Sequence, residues 1–263
     1  QGGVSSPTLA NMTLDGLEKA IKTASSKSDK VNFIRYADDF IVTASTKEHL
    51  ETVILPTIKA FISERGLTIS DEKTRIVHIE QGFDFLGQNV RKYKNKLIIK
   101  PAKDNLLSFK EKVKSIIKQG QGWKAESLID KLNPVIRGWA NYHRNIQSYQ
   151  AFCEVHYIIN NALFKWARRG NSSKTPKWIR QRFFGRSEKG RFSCMIGNKK
   201  EKPEMLELLS PCDIPIVRYI KIKGSCNPFD PIYSAYLDIR RKAKNYLSLE
   251  SNTLAAGLRL NEG

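Results

Sequence analysis

Apolar positions recur along this chain with the helical period near 3.6 or the strand period of 2, and the two rhythms alternate over the first hundred residues. Residues 1–23 carry Leu9, Met12, Leu14, Leu17 and Ile21 at helical spacing, a stripe expected to be core. Ser6 is the expected N-cap and Pro7 suits the first helical position. Residues 24–30 are rich in Ser and Lys and read as a loop. Phe33 and Ile34 then lead into, and Phe40, Ile41 and Val42 lead out of, a short polar stretch, which predicts two strands joined by a tight turn over Ala37, Asp38 and Asp39. Leu50, Ile54, Ile58 and Phe61 predict a helix over 47–65, capped by Thr46, ended by Gly66 and kinked or split at Pro56. A strand over Arg75–Ile79 follows. Phe83–Val90 and Leu97–Ile99 then pair across Lys92–Lys96.

After Pro101 the strand rhythm gives way to helices over about 103–118, 124–145, 148–168 and 175–184. Gly120-Gln121-Gly122 separates the first two, and Pro134 predicts a kink or interruption in the second. Residues 185–227 are mixed, with short strands expected at Phe192–Ile196 and Ile216–Ile222, and residues 230–247 return to helix. The fold class is therefore α+β: an antiparallel sheet with helices, then a mostly helical region and a mixed, basic C-terminal segment.

Charge sharpens that division. The 263 residues hold 45 Lys and Arg against 26 Asp and Glu, a net charge of +19. Such a surplus calls for a polyanionic partner, nucleic acid first and an anionic membrane surface second. No stretch approaches the roughly 20 apolar residues of a spanning helix. Residues 1–100 carry 15 cations and 12 anions, so most of the surplus lies beyond them; residues 161–200 hold 12 cations and one acid, Glu188. Trp166, Trp178, Phe183, Phe184 and Phe192 are interleaved with those cations, a mixture that fits phosphate contact with base stacking better than a merely solvated face. The four cysteines are scattered without a CxxC pair, and read as reduced thiols of an intracellular protein.

Asp38 and Asp39 are the candidate chemistry. Adjacent anions at the tip of an apolar hairpin repel each other and resist desolvation, and a divalent cation with oxygen ligands relieves both. The plainer reading of an Asp-Asp pair is a solvated turn.

Several blocks together resemble the reverse transcriptases encoded by group II introns. Gln1-Gly2-Gly3-Val4-Ser5-Ser6-Pro7-Thr8-Leu9-Ala10-Asn11 is similar to that family's palm motif, and Tyr36-Ala37-Asp38-Asp39 to its metal-binding box. Gly66-Leu67 through Glu72-Lys73-Thr74 resembles the lysine-bearing segment, and Phe83-Asp84-Phe85-Leu86-Gly87 the primer grip. Leu132-Asn133-Pro134-Val135-Ile136-Arg137-Gly138-Trp139-Ala140-Asn141-Tyr142 is similar to the maturase, or X, signature, and Ile214 through Gly224 to the segment that follows it. The resemblance implies a partial palm over 1–100, a thumb and maturase domain over 101–170, and a basic nucleic-acid-binding segment over 171–263. It implies RNA-directed DNA polymerisation and intron splicing, with Mg²⁺ (or Mn²⁺ in its place) bound by Asp38 and, less directly, Asp39. Gln1, Gly2, Tyr36 and Ala37 would line the nucleotide pocket. Lys73 would sit near the triphosphate, or be a surface lysine beside Glu72. Phe85, Leu86 and Gly87 would support the primer.

The implied nucleic-acid contacts are Arg137, Asn141, Tyr142 and Arg144, then Lys165, Arg168 and Arg169, then Lys174, Lys177, Arg180 and Arg182. Trp139 is expected in the core and Tyr142 in a mixed role. The implied partners are intron RNA, an RNA template with its DNA primer, target DNA and deoxynucleotides. The implied setting is a bacterial cytoplasm, or an organelle, without a membrane. In this family a third metal-binding Asp comes from a strand before the Gln-Gly motif. The expectation is thus of a chain lacking the fingers and that Asp, inactive alone and completed by an N-terminal half. Two other readings stand beside it: a non-catalytic RNA-binding splicing factor, and a reverse transcriptase of another bacterial system such as a retron, against which the block at 132–142 argues.

Overall fold

The computed structural model describes residues 5–72, 74–197, 203–217, 222–223 and 226–241. The architecture is α+β, helices with small antiparallel sheets, in two compact units, Gln1–Gly82 and Phe83–Gly263.

The first unit opens with α1 (Ser6–Thr13) and α2 (Leu17–Thr23). A single expected helix is two because Gly16 adopts φ 84°, left-handed backbone that ends one helix and starts the next. The break rotates the apolar stripe out of phase. Leu17 and Ile21 are fully buried, but Leu9 and Met12 are exposed rather than core. Strands β1 (Asn32–Tyr36) and β2 (Asp39–Thr43) form a two-stranded antiparallel ribbon with Phe33 opposite Val42 and Tyr36 opposite Asp39. The next helical stretch runs from α3 (Lys47–His49), whose start Thr46 caps, through a π turn (Leu50–Ile54) into α4 (Leu55–Ser63). Pro56 follows directly on the π turn. Lacking an N–H and crowding the turn before it, it changes the hydrogen-bonding register without stopping the helix. Gly66 ends the helix at φ 70°, with Gly66 N–H donating to Ser63 O and Leu67 N–H to Ile62 O. Leu17, Ile21, Ile54, Ile58 and Ile62 form the core, with Phe33, Phe40 and Val42 from the ribbon packed on it.

The expected strand Arg75–Ile79 is instead loop. A strand needs a neighbour to satisfy its N–H and C=O groups, and among the described residues the ribbon of this unit has only β1 and β2.

In the second unit, β3 (Phe83–Phe85), β4 (Gln88–Tyr93) and β5 (Lys96–Pro101) form a three-stranded meander. The run Phe83–Val90 is therefore two strands, because Leu86 and Gly87 turn the chain between them. Helices α5 (Lys103–Gln119), α6 (Ala125–His143), α7 (Tyr149–Gly170) and α8 (Pro176–Phe183) follow. A second ribbon pairs β6 (Ser193–Ile196) with β7 (Glu204–Glu207). Beyond it the described residues include 3₁₀ turns at Pro211–Asp213 and Pro231–Tyr233 and helical residues 234–241. The expected strand Ile216–Ile222 and the later part of the expected helix 230–247 lie largely outside the described residues.

Helix α6 is the centre of this unit. Leu128, Ile129, Leu132, Ile136, Ala140 and His143 form its fully buried stripe, packed with Phe109, Val113 and Ile117 of α5 and Val155, Ile159 and Leu163 of α7. Pro134 sits inside α6 without interrupting it, on the exposed face where a carbonyl left without its N–H partner reaches water. Beside it, the Asn133 amide donates to Glu207 O (3.1 Å) and accepts from Leu209 N–H (2.7 Å), so that α6 holds the end of β7 as a neighbouring strand would. The cysteines are free. Cys153 and Cys212 lie 3.8 Å apart at sulfur, and burial pushes the Cys212 thiol up to about 11.

His143 has no exposed surface, and burial lowers its pKa from 6.5 to about 4. Between those values the unfolded chain binds a proton that the folded chain does not. The stability is therefore full above pH 6.5 and lost as pH falls toward 4, by on the order of 3 kcal/mol. Melting curves between pH 7 and 4.5 are expected to fall less steeply for His143→Gln than for the wild type. Equal slopes would contradict the burial of a neutral imidazole.

Candidate catalytic turn and nucleic-acid interface

The ribbon of the first unit closes over two residues, Ala37 and Asp38; Asp39 is already the first residue of β2. Ala37 adopts φ 54°. Left-handed backbone costs an L-residue with a Cβ roughly 1–2 kcal/mol, so a neighbour must hold it. Arg35 is that neighbour: its Nη1 donates to Ala37 O at 3.0 Å. Asp38 and Asp39 are both exposed, as are Tyr36 and Ala37. This corrects the expectation of carboxylates at a buried tip. Water solvates both, so desolvation is not the reason for a cation, and what remains is two oxygen donors side by side on a braced turn. Among the described residues no group of three or more His, Cys, Asp or Glu forms a metal site. Gln1, Gly2 and Lys73 lie outside the described residues.

In the second unit, Phe85 ends β3, and Leu86 (φ 49°) and Gly87 (φ 70°) make the turn into β4. The Tyr142 hydroxyl donates to Leu86 O at 2.6 Å while its ring stays half exposed, so Tyr142 braces protein as well as facing solvent. Arg137 and Asn141 lie on the exposed face of α6; Arg144 is half-buried, its carbonyl accepting from Val217 N–H. Trp139 packs against the core, stacked on Phe109 with ring centres 4.4 Å apart.

The cations of α7 and of the loop that follows it are brought together. Lys165, Arg168, Arg169 and Lys174 line a shallow groove of about 380 Å³ with Asn171, Ser172 and Pro176. It runs into a second groove of about 430 Å³ that shares Lys165 and Arg169 and adds Lys114 and Lys118 of α5. No carboxylate lines either. Lys114 and Lys118 had a signal in the sequence that went unread: with Lys110 they recur every four residues, the spacing of one helix face. Lys177, Arg180 and Arg182 are exposed on α8 outside these grooves, Arg180 lying over the Phe164 ring. The interleaved aromatics behave otherwise than expected. Trp166 and Phe192 are buried, Phe183 stacks on Phe192, and Phe184 packs edge-on to it. Only Trp178 of the five is open to solvent, with Lys174 above its ring. The rest join the core beneath the basic surface, together with Val155, Ile159 and Leu163 of α7 and Ile179 of α8.

Comparison with known proteins bears on this pairing of a carboxylate turn with a basic helical trough. Residues 1–90 match the reverse transcriptase (RNA-dependent DNA polymerase) family, and residues 106–184 match the group II intron maturase-specific domain. The chain belongs to the group II intron reverse transcriptase/maturase family. The reverse-transcriptase match takes in the Asp38–Asp39 turn and, through residue 90, the Leu86–Gly87 turn. The maturase-specific match takes in α6, α7 and both grooves. Among curated relatives, an uncharacterized 91 kDa protein in cob intron of Schizosaccharomyces pombe is 27% identical over 167 residues, covering 53% of this chain and 20% of that protein. A maturase-like protein 1 of Euglena gracilis is 27% identical over 142 residues, covering 53% of this chain and 28% of its own length. The chain thus spans between a fifth and a third of the length of these relatives.

The left-handed Ala37 in the reverse-transcriptase segment is open to test. Ala37→Val places a β-branched residue where φ is positive, and is expected to destabilise the ribbon by more than about 1 kcal/mol, whereas Ala37→Gly is not. Amide exchange across Phe33–Val42 is the measurement. Equal protection in the two variants would mean that the turn is not left-handed.

Proposed function

We propose that this protein binds intron RNA through the basic trough of α5, α7 and the loop after α7, and that Asp38 and Asp39 are its contribution to an RNA-directed DNA polymerase centre. The observation that carries the reading is the trough itself: cations from α5, α7 and the loop after α7 converge with no carboxylate among them. Converging cations gain affinity for a phosphate backbone by releasing its counterions, whatever the base sequence. Arg137 and Asn141 add a second strip on α6, and Lys177, Arg180, Arg182 and Trp178 extend the surface toward target DNA.

At the carboxylate turn the donor chemistry suits Mg²⁺, with Mn²⁺ as a substitute, since both prefer oxygen ligands and leave positions for water and substrate phosphates. When bound, the metal supplies Lewis-acid activation of a primer hydroxyl and charge neutralisation at the triphosphate of a deoxynucleotide. Asp38, on the turn, is the main ligand; Asp39, one residue into β2, is the auxiliary one. Arg35 holds the backbone that presents them. Tyr36 and Ala37, with Gln1 and Gly2, border the nucleotide, Lys73 serves the triphosphate, and Phe85, Leu86 and Gly87 support the primer on its RNA template.

A second reading, an RNA-binding splicing factor without polymerase activity, is favoured by the exposure of both aspartates and the lack of a three-ligand group among the described residues. Two assays separate them. Filter binding in a salt series is expected to give a steep negative slope of log affinity against log salt. Lys165→Glu with Arg169→Glu should flatten that slope by roughly 1.5–2 units; an unchanged slope would remove the trough from RNA binding. Primer extension by this chain alone is expected to be absent. Completion with an upstream segment that adds a third carboxylate should produce extension that Asp38→Asn abolishes. Failure of the completed protein to extend would leave the splicing-factor reading.

A further inference from the structure

The Leu86–Gly87 turn is costly backbone: two consecutive left-handed residues, the first a leucine. Such a turn persists only where its surroundings over-determine it. Three contacts do so. Tyr142 Oη donates to Leu86 O at 2.6 Å, and Ala102 N–H donates to Gly87 O at 3.0 Å. Under Gly87 lies the Asn105 side chain, so near that a Cβ added to the glycine would sit 2.8 Å from Asn105 Nδ2. Asn105 is itself fixed. Trp139 Nε1–H donates to its Oδ1 at 3.0 Å, and His143 Nε2 lies 2.9 Å from the same oxygen. With the imidazole donating there, Asn105 Oδ1 receives two N–H groups and its Nδ2 is left facing the turn. Trp139 is held by its stack on Phe109 and its edge contact with His143. Trp139, Tyr142 and His143 all belong to the last turns of α6, the helix of the maturase-specific match.

We propose that Tyr142 and Asn105 are positioning residues: they lock the Leu86–Gly87 turn onto α6 so that it presents a fixed edge to the primer strand of a primed template. The primer half of this inference rests on the polymerase reading above; the locking does not. It gives α6 two duties, an outer strip for nucleic acid and an inner edge that shapes the neighbouring segment. It also reassigns the Tyr142 hydroxyl from an RNA contact to a bond within the protein.

Tyr142→Phe in the full chain tests it, because removing one hydroxyl from a half-exposed ring leaves the apolar packing intact. Amide exchange at residues 86–88 is expected to speed up by roughly 3- to 10-fold, the effect of one net hydrogen bond, while exchange along Arg91–Ile98 stays unchanged. Affinity for an RNA template annealed to a DNA primer is expected to fall by a similar factor, with affinity for the unprimed RNA unaltered. Unchanged exchange at 86–88 would overturn the positioning role. Faster exchange with unaltered affinity for primed template would overturn the link to the primer. If the wild type makes no distinction between primed and unprimed RNA, the polymerase reading fails on its own account, and exchange alone decides whether Tyr142 locks the turn.

Discussion

The burial of one face of α6 is the constraint on which the second unit depends. Six side chains of this helix, from Leu128 to His143, have no solvent exposure at all. Each fully buried aliphatic residue is worth about 1.5–3 kcal/mol, so this stripe is a large share of what holds α5 and α7 in place. The polar groups at its borders then carry the fold outward. Asn133 takes the end of β7, His143 and Trp139 take Asn105, and Tyr142 takes the turn between β3 and β4. The maturase signature at Leu132–Tyr142 is in this sense structural first. Every fourth position, Leu132, Ile136 and Ala140, faces inward, and only Pro134, Arg137, Gly138, Asn141 and Tyr142 are exposed.

Charge is distributed by the same logic. Helices α7 and α8 bury Ile159, Leu163, Trp166 and Ile179 on one side and leave cations on the other. The trough is the place where the basic sides of α5 and α7 meet Lys174 of the loop after α7. Its floor is partly apolar, with Ile117, Ile158, Ala162 and Trp166 beneath the cationic rim. An apolar floor lowers the local dielectric and strengthens each cation's attraction for a phosphate. The carboxylate turn of the first unit is the reverse case: a pair of exposed anions whose geometry comes from backbone strain restrained by a single guanidinium.

Much of this was legible in the residues. The turn between Phe33 and Val42, the helices after Pro101, and the clustering of Lys165, Arg168, Arg169 and Lys174 follow from periodicity and local charge. The expectations that failed did so for non-local reasons. Leu9 and Met12 share a stripe with Leu17, but one left-handed glycine removes them from the core. Arg75–Ile79 has the composition of a strand and lacks a partner. Phe183, Phe184 and Phe192 look like stacking platforms beside their cations until the helices pack, when they become the layer under the basic surface. The run Phe83–Val90 conceals a turn because leucine is a poor sign of left-handed backbone. The contacts that hold the turn come from Tyr142 and Asn105, distant in sequence.

The central claim is that nucleic acid is held by the converging faces of α5 and α7 and extended along α8, over a core that α6 organises. Photocrosslinking of the full chain to uniformly 4-thiouridine-substituted RNA, read by mass spectrometry of the crosslinked peptides, tests it most directly. Crosslinks are expected on the peptides holding Lys118, Lys165, Arg169 and Trp178, and none on the Lys19, Lys22 and Lys27 peptides of the first unit. Crosslinks confined to those first-unit lysines, with the trough peptides unmodified, would contradict it.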